Sequence, residues 1–118
     1  MAADPGFLQH ITDLFSGYGP IRVGRLFGGT SLYQDDAMFA VIFGDTIFMK
    51  SDKSLQPRFI EAGSEPFTYE TKTGKRVITG LMSLPESALD DPDEAREWLE
   101  LSLVPARKAA AKRQGKKK

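Results

Sequence analysis

The stretch MFAVIFGDTIFMK, from Met38 to Lys50, decides the predicted fold. Its first half, Met38–Phe43, is apolar at every position, which is typical of a central strand buried on both faces. Gly44-Asp45 is a two-residue hairpin signal, because glycine adopts the positive φ that such turns need. The second half, Thr46–Lys50, then forms the returning strand. The stretch therefore predicts an antiparallel hairpin at the centre of a sheet.

Further strands are predicted on both sides of this hairpin. One lies at Thr30–Gln34, and a second hairpin pairs Phe67–Thr71 with Arg76–Met82. Residues 21–29 are predicted to be extended, without a strand assigned. Hairpins dominate and strands do not alternate with long helices, which favours an antiparallel sheet with helices packed on it. We expect about five strands.

Three helices complete the predicted fold. The first has Asp4 as its cap and Pro5 in its first turn, and the second runs from Lys53 to Ala62. The last begins after the cap residue Asp91, and Pro105 should kink or end it. The element order is α-β-β-β-α-β-β-α, an α+β class. We predict one domain over residues 1–105 and a basic, flexible tail over residues 106–118.

Composition excludes several classes of protein and of site. The chain has 118 residues, which suits one domain, and it has no cysteine, so disulfides and sulfur-ligated zinc are excluded. The N-terminal residues do not have the pattern of a secretory signal. The longest dense apolar run, Met38–Phe43, is too short to span a bilayer. We expect a cytoplasmic protein without membrane partners, cofactors or metal.

Charge is distributed unevenly along the chain. The tail holds seven of the 16 basic residues and no acidic one, so the rest carries nine basic against 16 acidic residues, a net charge of −7. A tail of this kind can contact phosphates with little sequence preference. The alternative is that it balances an acidic body or aids solubility. The tail cations are Arg107, Lys108, Lys112, Arg113, Lys116, Lys117 and Lys118.

Each candidate site has a structural alternative. Arg25 with Gly28 and Gly29 could bind an anion, but we favour a requirement of the backbone, namely a bulge or tight turn that a side chain would block. The lone His10 has no partner at catalytic spacing, and we interpret it as a boundary residue. The acidic run Asp90–Glu94 is better explained by helix capping than by metal binding.

Aromatic side chains are a further candidate site, as a surface on which bases could stack. Tyr33, Phe67 and Tyr69 could do this if they lay together on an open sheet face with basic neighbours. Acidic residues lie near them in sequence, at 35, 36, 65 and 70. We therefore favour core or rim packing for these rings.

Several motifs, in order, resemble one known family. They are Arg25–Gly29, then Ser31–Tyr33, Met38–Ile42 and Ile47–Lys50, and finally Leu84-Pro85 with Trp98. Together they resemble the N-terminal domain of the TfoX/Sxy family of bacterial competence regulators. The longer family members carry a second, helical domain, whereas this chain ends in its basic tail.

The resemblance implies a five-stranded antiparallel sheet and a regulatory, non-enzymatic role linked to transcription or competence. It supplies no catalytic residue. Our first hypothesis is a module that binds a protein partner of unknown identity, with a homodimer as one form. The alternatives are a small nucleic-acid-binding protein that uses its tail and, less favoured, an enzyme.

Overall fold

A computed structural model describes residues 5–26 and 28–116 and confirms the predicted α+β class. Within these residues one antiparallel sheet has the strand order β1-β2-β3-β4-β6-β5. Short 3₁₀ helices follow α1 and precede α3. The main elements are α1 (Pro5–Phe15), β1 (Arg22–Leu26), β2 (Gly29–Gln34), β3 (Ala37–Phe43), β4 (Thr46–Lys50), α2 (Gln56–Glu61), β5 (Pro66–Thr71), β6 (Gly74–Ser83) and α3 (Pro92–Lys116).

The sheet has six strands, one more than predicted, because the extended segment before the first glycine pair forms β1. Gly24 interrupts the strand pattern there, since glycine weakens a strand interior. In the structure Gly24 pairs with Ser31. A Cβ added to Gly24 would lie 2.9 Å from Ser31 Oγ and 3.1 Å from the Tyr33 ring. Neighbouring side chains thus fill the space that the glycine leaves.

The central hairpin forms as predicted. Strands β3 and β4 pair antiparallel through Val41↔Phe48 and Ile42↔Ile47, and Gly44 turns with a φ of 64°. β3 lies between β2 and β4, away from both sheet edges. Its uniformly apolar sequence therefore corresponds to a central position.

All three helices pack on one face of the sheet, which we call the covered face. The Phe15 ring of α1 meets Phe39 edge-on, with centroids 5.7 Å apart, and Phe59 of α2 stacks on Trp98 of α3 at 4.5 Å. These contacts join one core cluster. Its sheet residues with no more than 2% exposure are Leu32, Phe39, Ala40, Ile42, Ile47, Met49 and Met82.

The second helix is shorter than predicted, and Asp52 holds the turn that precedes it. The Asp52 carboxylate accepts hydrogen bonds from Ser54 Oγ at 2.7 Å, Leu55 N at 2.9 Å and Ser54 N at 3.0 Å. These bonds, that of the Ser54 hydroxyl first, lower the pKa of Asp52 below its ordinary value of 3.8. The turn they hold occupies residues predicted as helix, so α2 begins at Gln56.

The third helix confirms its predicted start and corrects its predicted end. Asp91 Oδ1 accepts from the backbone N–H groups of Asp93 and Glu94, at 3.0 and 3.3 Å. However, the helix continues through Pro105 to Lys116. Ala106 and Ala110 are buried in the core cluster, so packing beyond the proline stabilises the helix.

Pro105 was predicted to kink or end α3, and the second of these alternatives is therefore wrong. Proline destabilises a helix locally, through a missing N–H group and a clash with the preceding turn. Burial on both sides of Pro105 offsets this cost. Flexibility of residues 106–118 stays a prediction. The cap predicted at Asp4 lies outside the described residues.

Candidate binding surfaces

The first candidate surface is the hairpin that joins β1 and β2. Leu26 pairs with Gly29 at its end, and Gly28 turns with a φ of 79°, which glycine adopts without steric cost. Arg25 is exposed and lies opposite Thr30 in the register. The turn end of the hairpin therefore presents Arg25 at the edge of the sheet.

Gly29 is required by a close approach inside this hairpin. A Cβ there would lie 2.6 Å from Phe43 Cε1 and 2.8 Å from the carbonyl oxygen of Ile42. A side chain at position 29 would thus be blocked, as the favoured interpretation of the glycine pair expects. Anion binding by Arg25, Gly28 and Gly29 stays a prediction.

A second surface lies on the other side of the sheet, which we call the aromatic face. It is formed by Phe43, Phe48, Phe67 and Tyr69, none of which belongs to the helix-packed core cluster. Phe43 and Phe67 stack with centroids 4.6 Å apart and an interplanar angle of 11°. Phe67 also meets Phe48 edge-on at 5.1 Å and stacks with Tyr69 at 5.7 Å.

Curvature of the sheet brings these rings together. Phe43 is on β3 and Phe67 is on β5, which are separated by β4 and β6. In a flat sheet three strand spacings amount to roughly 14 Å. The aromatic face is therefore concave, and Val41 and Ser31, which pair on this side, are fully buried.

The three rings singled out from the sequence do not form one group. Phe67 and Tyr69 belong to the aromatic face. Tyr33 lies on β2 instead, where the Arg22 guanidinium carbon is 4.2 Å from the centroid of the Tyr33 ring. Sequence reasoning did not include Phe43 and Phe48. The available signal was strand alternation. Phe43 is adjacent to Ile42 and Phe48 is adjacent to Met49, so both rings should lie on the face opposite to these two buried residues.

His10 contacts the segment that leads into the last helix. Its Nε2 donates to the carbonyl oxygen of Leu89 at 2.7 Å, and its side chain is exposed. This bond ties α1 to the 3₁₀ helix Glu86–Asp90. The contact is consistent with a residue at the boundary of the core.

The acidic run before α3 is engaged in local hydrogen bonds. Besides the cap at Asp91, Glu94 Oε2 accepts from Ser87 Oγ at 2.6 Å and from Trp98 Nε1 at 3.4 Å. In the part of the chain that the structure describes, no three His, Asp or Glu side chains are grouped as metal ligands. Asp91 and Glu94 therefore position the N-terminus of α3.

The basic segment starts on an ordered helix. The side chains of Arg107, Lys108 and Lys112 are exposed, and Arg107 Nη2 donates to Gln34 Oε1 at 3.2 Å. Arg113 and Lys116 belong to the same helix. Lys117 and Lys118 lie outside the described residues. The first three cations are thus held on the solvent side of α3, while Ala106 and Ala110 face the core.

Comparison with protein families identifies this architecture. The family model of the TfoX N-terminal domain matches residues 13–106. The chain belongs to the TfoX N-terminal domain family. Comparison with curated proteins gives no match.

Some of the candidate surfaces lie inside the residues that the TfoX family model matches, and others lie outside them. The match contains all six strands, and hence the β1–β2 hairpin and the aromatic face, but not His10 or the tail cations from Arg107 onward. The family is of a regulatory type. None of the helices in residues 5–26 and 28–116 has the length and apolar content to cross a membrane.

Proposed function

We propose that this TfoX N-terminal domain is a non-enzymatic regulatory module, linked to transcription or competence, which binds a protein partner through the edge strand β1. Membership of a regulatory family supports the role. Strands β1 and β5 are the two outer strands of the sheet, and each pairs with one neighbour among the described strands. The observation that carries the choice of β1 is its exposed Val23, which has the exposed Arg22 and Arg25 on either side of it. An extended peptide segment can add to an outer strand by main-chain hydrogen bonds.

The side chains of β1 suit this mode of binding. Val23 is 46% exposed, although its partner Leu32 is fully buried. Arg22 and Arg25 lie on either side of it in the strand and are also exposed. A partner segment with an apolar residue flanked by acidic ones would complement this edge in shape and charge.

Site-specific crosslinking tests this assignment. A photoreactive amino acid replaces Val23 in the full chain, and the same replacement at Val77 is the matched control. Val77 is also an exposed strand valine, at 56%, but it lies in the β5–β6 hairpin at the other end of the sheet. We expect one specific crosslinked protein from position 23 that is absent from position 77.

Charge reversal at Arg25 should then reduce recovery of that protein by at least tenfold while thermal unfolding of the domain is unchanged. Crosslinking of the same protein from position 77 alone would overturn the assignment of β1. Absence of any specific crosslink from either position, with a folded domain, would overturn protein binding by this sheet.

A second candidate function is nucleic-acid binding by the basic helix end. The ordered, exposed Arg107, Lys108 and Lys112 favour it, because helix α3 presents them together to solvent. Deletion from residue 107 would also remove the buried Ala110, so a better variant replaces Lys108 and Lys112 by glutamine. If the tail binds phosphates, this variant should weaken binding to DNA and reduce the salt dependence by about two counterions. Unchanged affinity would exclude this function.

A further inference from the structure

The aromatic face combines ring stacking with partial exposure. Phe15, Phe39 and Phe59 on the covered face are at most 1% exposed, whereas Tyr69 is 41% exposed. Phe43, Phe67, Tyr69 and Ile78 line a cavity of about 360 Å³. This volume lies within the range of about 300–1,000 Å³ that is typical of ligand sites. Planar aromatic walls favour a planar, stacking ligand.

The charge of the sheet differs from that of the whole domain. Within the six strands Glu70 is the one acidic residue. The basic residues of these strands outnumber it and are Arg22, Arg25, Lys50, Lys75 and Arg76. The acidic residues that give residues 1–106 a net charge of −7 therefore lie almost entirely in helices, turns and loops. The acidic neighbours that argued against base stacking, at 35, 36 and 65, fall outside the strands.

Strand register places cations beside the rings and the acid away from them. Arg76 pairs directly with Tyr69, so both lie on the aromatic face. Lys50 lies two residues after Phe48 in β4 and shares its face. Glu70 alternates to the opposite face, where it pairs with Lys75. The aromatic face is therefore cationic at its strand positions.

We infer that the aromatic face binds single-stranded nucleic acid. One base stacks on the exposed side of Tyr69 and a neighbouring base enters the cavity beside Phe43 and Phe67. Arg76 and Lys50 contact the phosphates. Stacking of this kind accepts any base, because every base has a planar face. It needs unpaired bases, because the bases of a duplex are already stacked on one another. The charge of the face complements the ligand, whereas the acidic helices disfavour a long duplex on the covered side.

Fluorescence anisotropy with a labelled oligothymidylate of about 12 nucleotides tests this inference, since that length lies within known site sizes. The protein is the full chain with Lys108 and Lys112 replaced by glutamine, so that these two tail cations do not contribute. We expect Tyr69→Ala to weaken binding by about five- to 100-fold. Tyr69→Phe keeps the ring and should retain affinity within about twofold.

A matched pair of charge variants tests the role of the face. Arg76→Gln should weaken binding and lower the slope of log affinity against log salt by about one. Lys75→Gln removes the adjacent cation, which lies on the opposite face of the same strand, and should change affinity less. Circular dichroism and thermal unfolding confirm that each variant is folded.

Five results would overturn the inference. They are the absence of oligothymidylate binding by the folded protein, equal loss of affinity in Arg76→Gln and Lys75→Gln, and unchanged affinity in Tyr69→Ala. The fourth is full displacement of the oligonucleotide by poly-glutamate at equal charge, which would show attraction of any polyanion, an acidic peptide included. Preference for duplex over single strands would contradict stacking as well.

Discussion

The two faces of the sheet use the same strands for different purposes. In β4, Met49 points to the covered face and is fully buried, while its neighbour Phe48 is half-buried on the aromatic face. Helices exclude water from the covered face. The aromatic face instead packs rings against one another across a curved sheet. Large apolar groups that remain accessible contribute less to stability than their size allows, and this supports the binding role that we infer for the aromatic face.

The largest expected effect contrasts one phenylalanine from each face. Phe39→Ala empties a fully buried site beside Phe15 and should lower the free energy of unfolding by about 3–5 kcal/mol. Phe67→Ala removes a half-buried ring and should cost roughly 1–2 kcal/mol. Urea unfolding of both variants measures the difference. Equal costs would show that the aromatic face is a second core.

The next effect concerns the glycine that supports the aromatic face. Gly29→Ala places a Cβ against the Phe43 ring and the Ile42 carbonyl, and should destabilise the domain by about 1–3 kcal/mol. Gly80→Ala is the control, because a Cβ there meets no atom within 4 Å. If Gly29→Ala were neutral in urea unfolding, the close packing of Phe43 on the hairpin would be wrong.

A smaller effect is expected at the turn that leads onto the covered face. Asp52→Ala removes the acceptor of three hydrogen bonds and should cost about 1 kcal/mol at neutral pH. Because folding lowers the pKa of Asp52, its stabilisation is complete above the ordinary value of 3.8. It is lost as the pH falls through the lower pKa of the folded state.

Unfolding experiments with the wild-type protein and Asp52→Ala across the acidic range check this sign. The stability difference between the two should shrink as the solution is acidified. A difference that grew at low pH would contradict the lowered pKa.

The smallest effect on stability is expected at the residue with the largest expected role in binding. Tyr69 is 41% exposed, so Tyr69→Ala should change the free energy of unfolding by no more than about 0.5–1 kcal/mol. The same variant should weaken oligonucleotide binding strongly. A thermal shift comparable to that of Phe67→Ala would instead assign Tyr69 to packing.

Much of the fold could be predicted because its signals are local. The hairpin at Gly44 and the cap at Asp91 each depend on residues within a few positions, so the residue types alone predict them. The β1 strand was missed because Gly24 weakens its local pattern, and its pairing with β2 depends on how Ser31 and Tyr33 fill the gap.

The candidate site could be predicted only in part. Sequence singled out Phe67 and Tyr69 but grouped them with Tyr33, which lies under Arg22 instead. It also counted Glu70 as a neighbour of Tyr69, although alternation places the two on opposite faces. Proximity along the chain was a poor guide to the charge of a surface that four strands build together.

The sequence by itself determined the α+β class, the two principal hairpins and the start of the last helix, because these follow from residue preferences within single turns and strands. Tertiary structure alone decided the continuation of α3 through Pro105, where burial of Ala106 and Ala110 offsets a local cost. It also decided which face the helices cover and how far the sheet curves. Those outcomes depend on packing between residues distant in sequence, and they create the aromatic face.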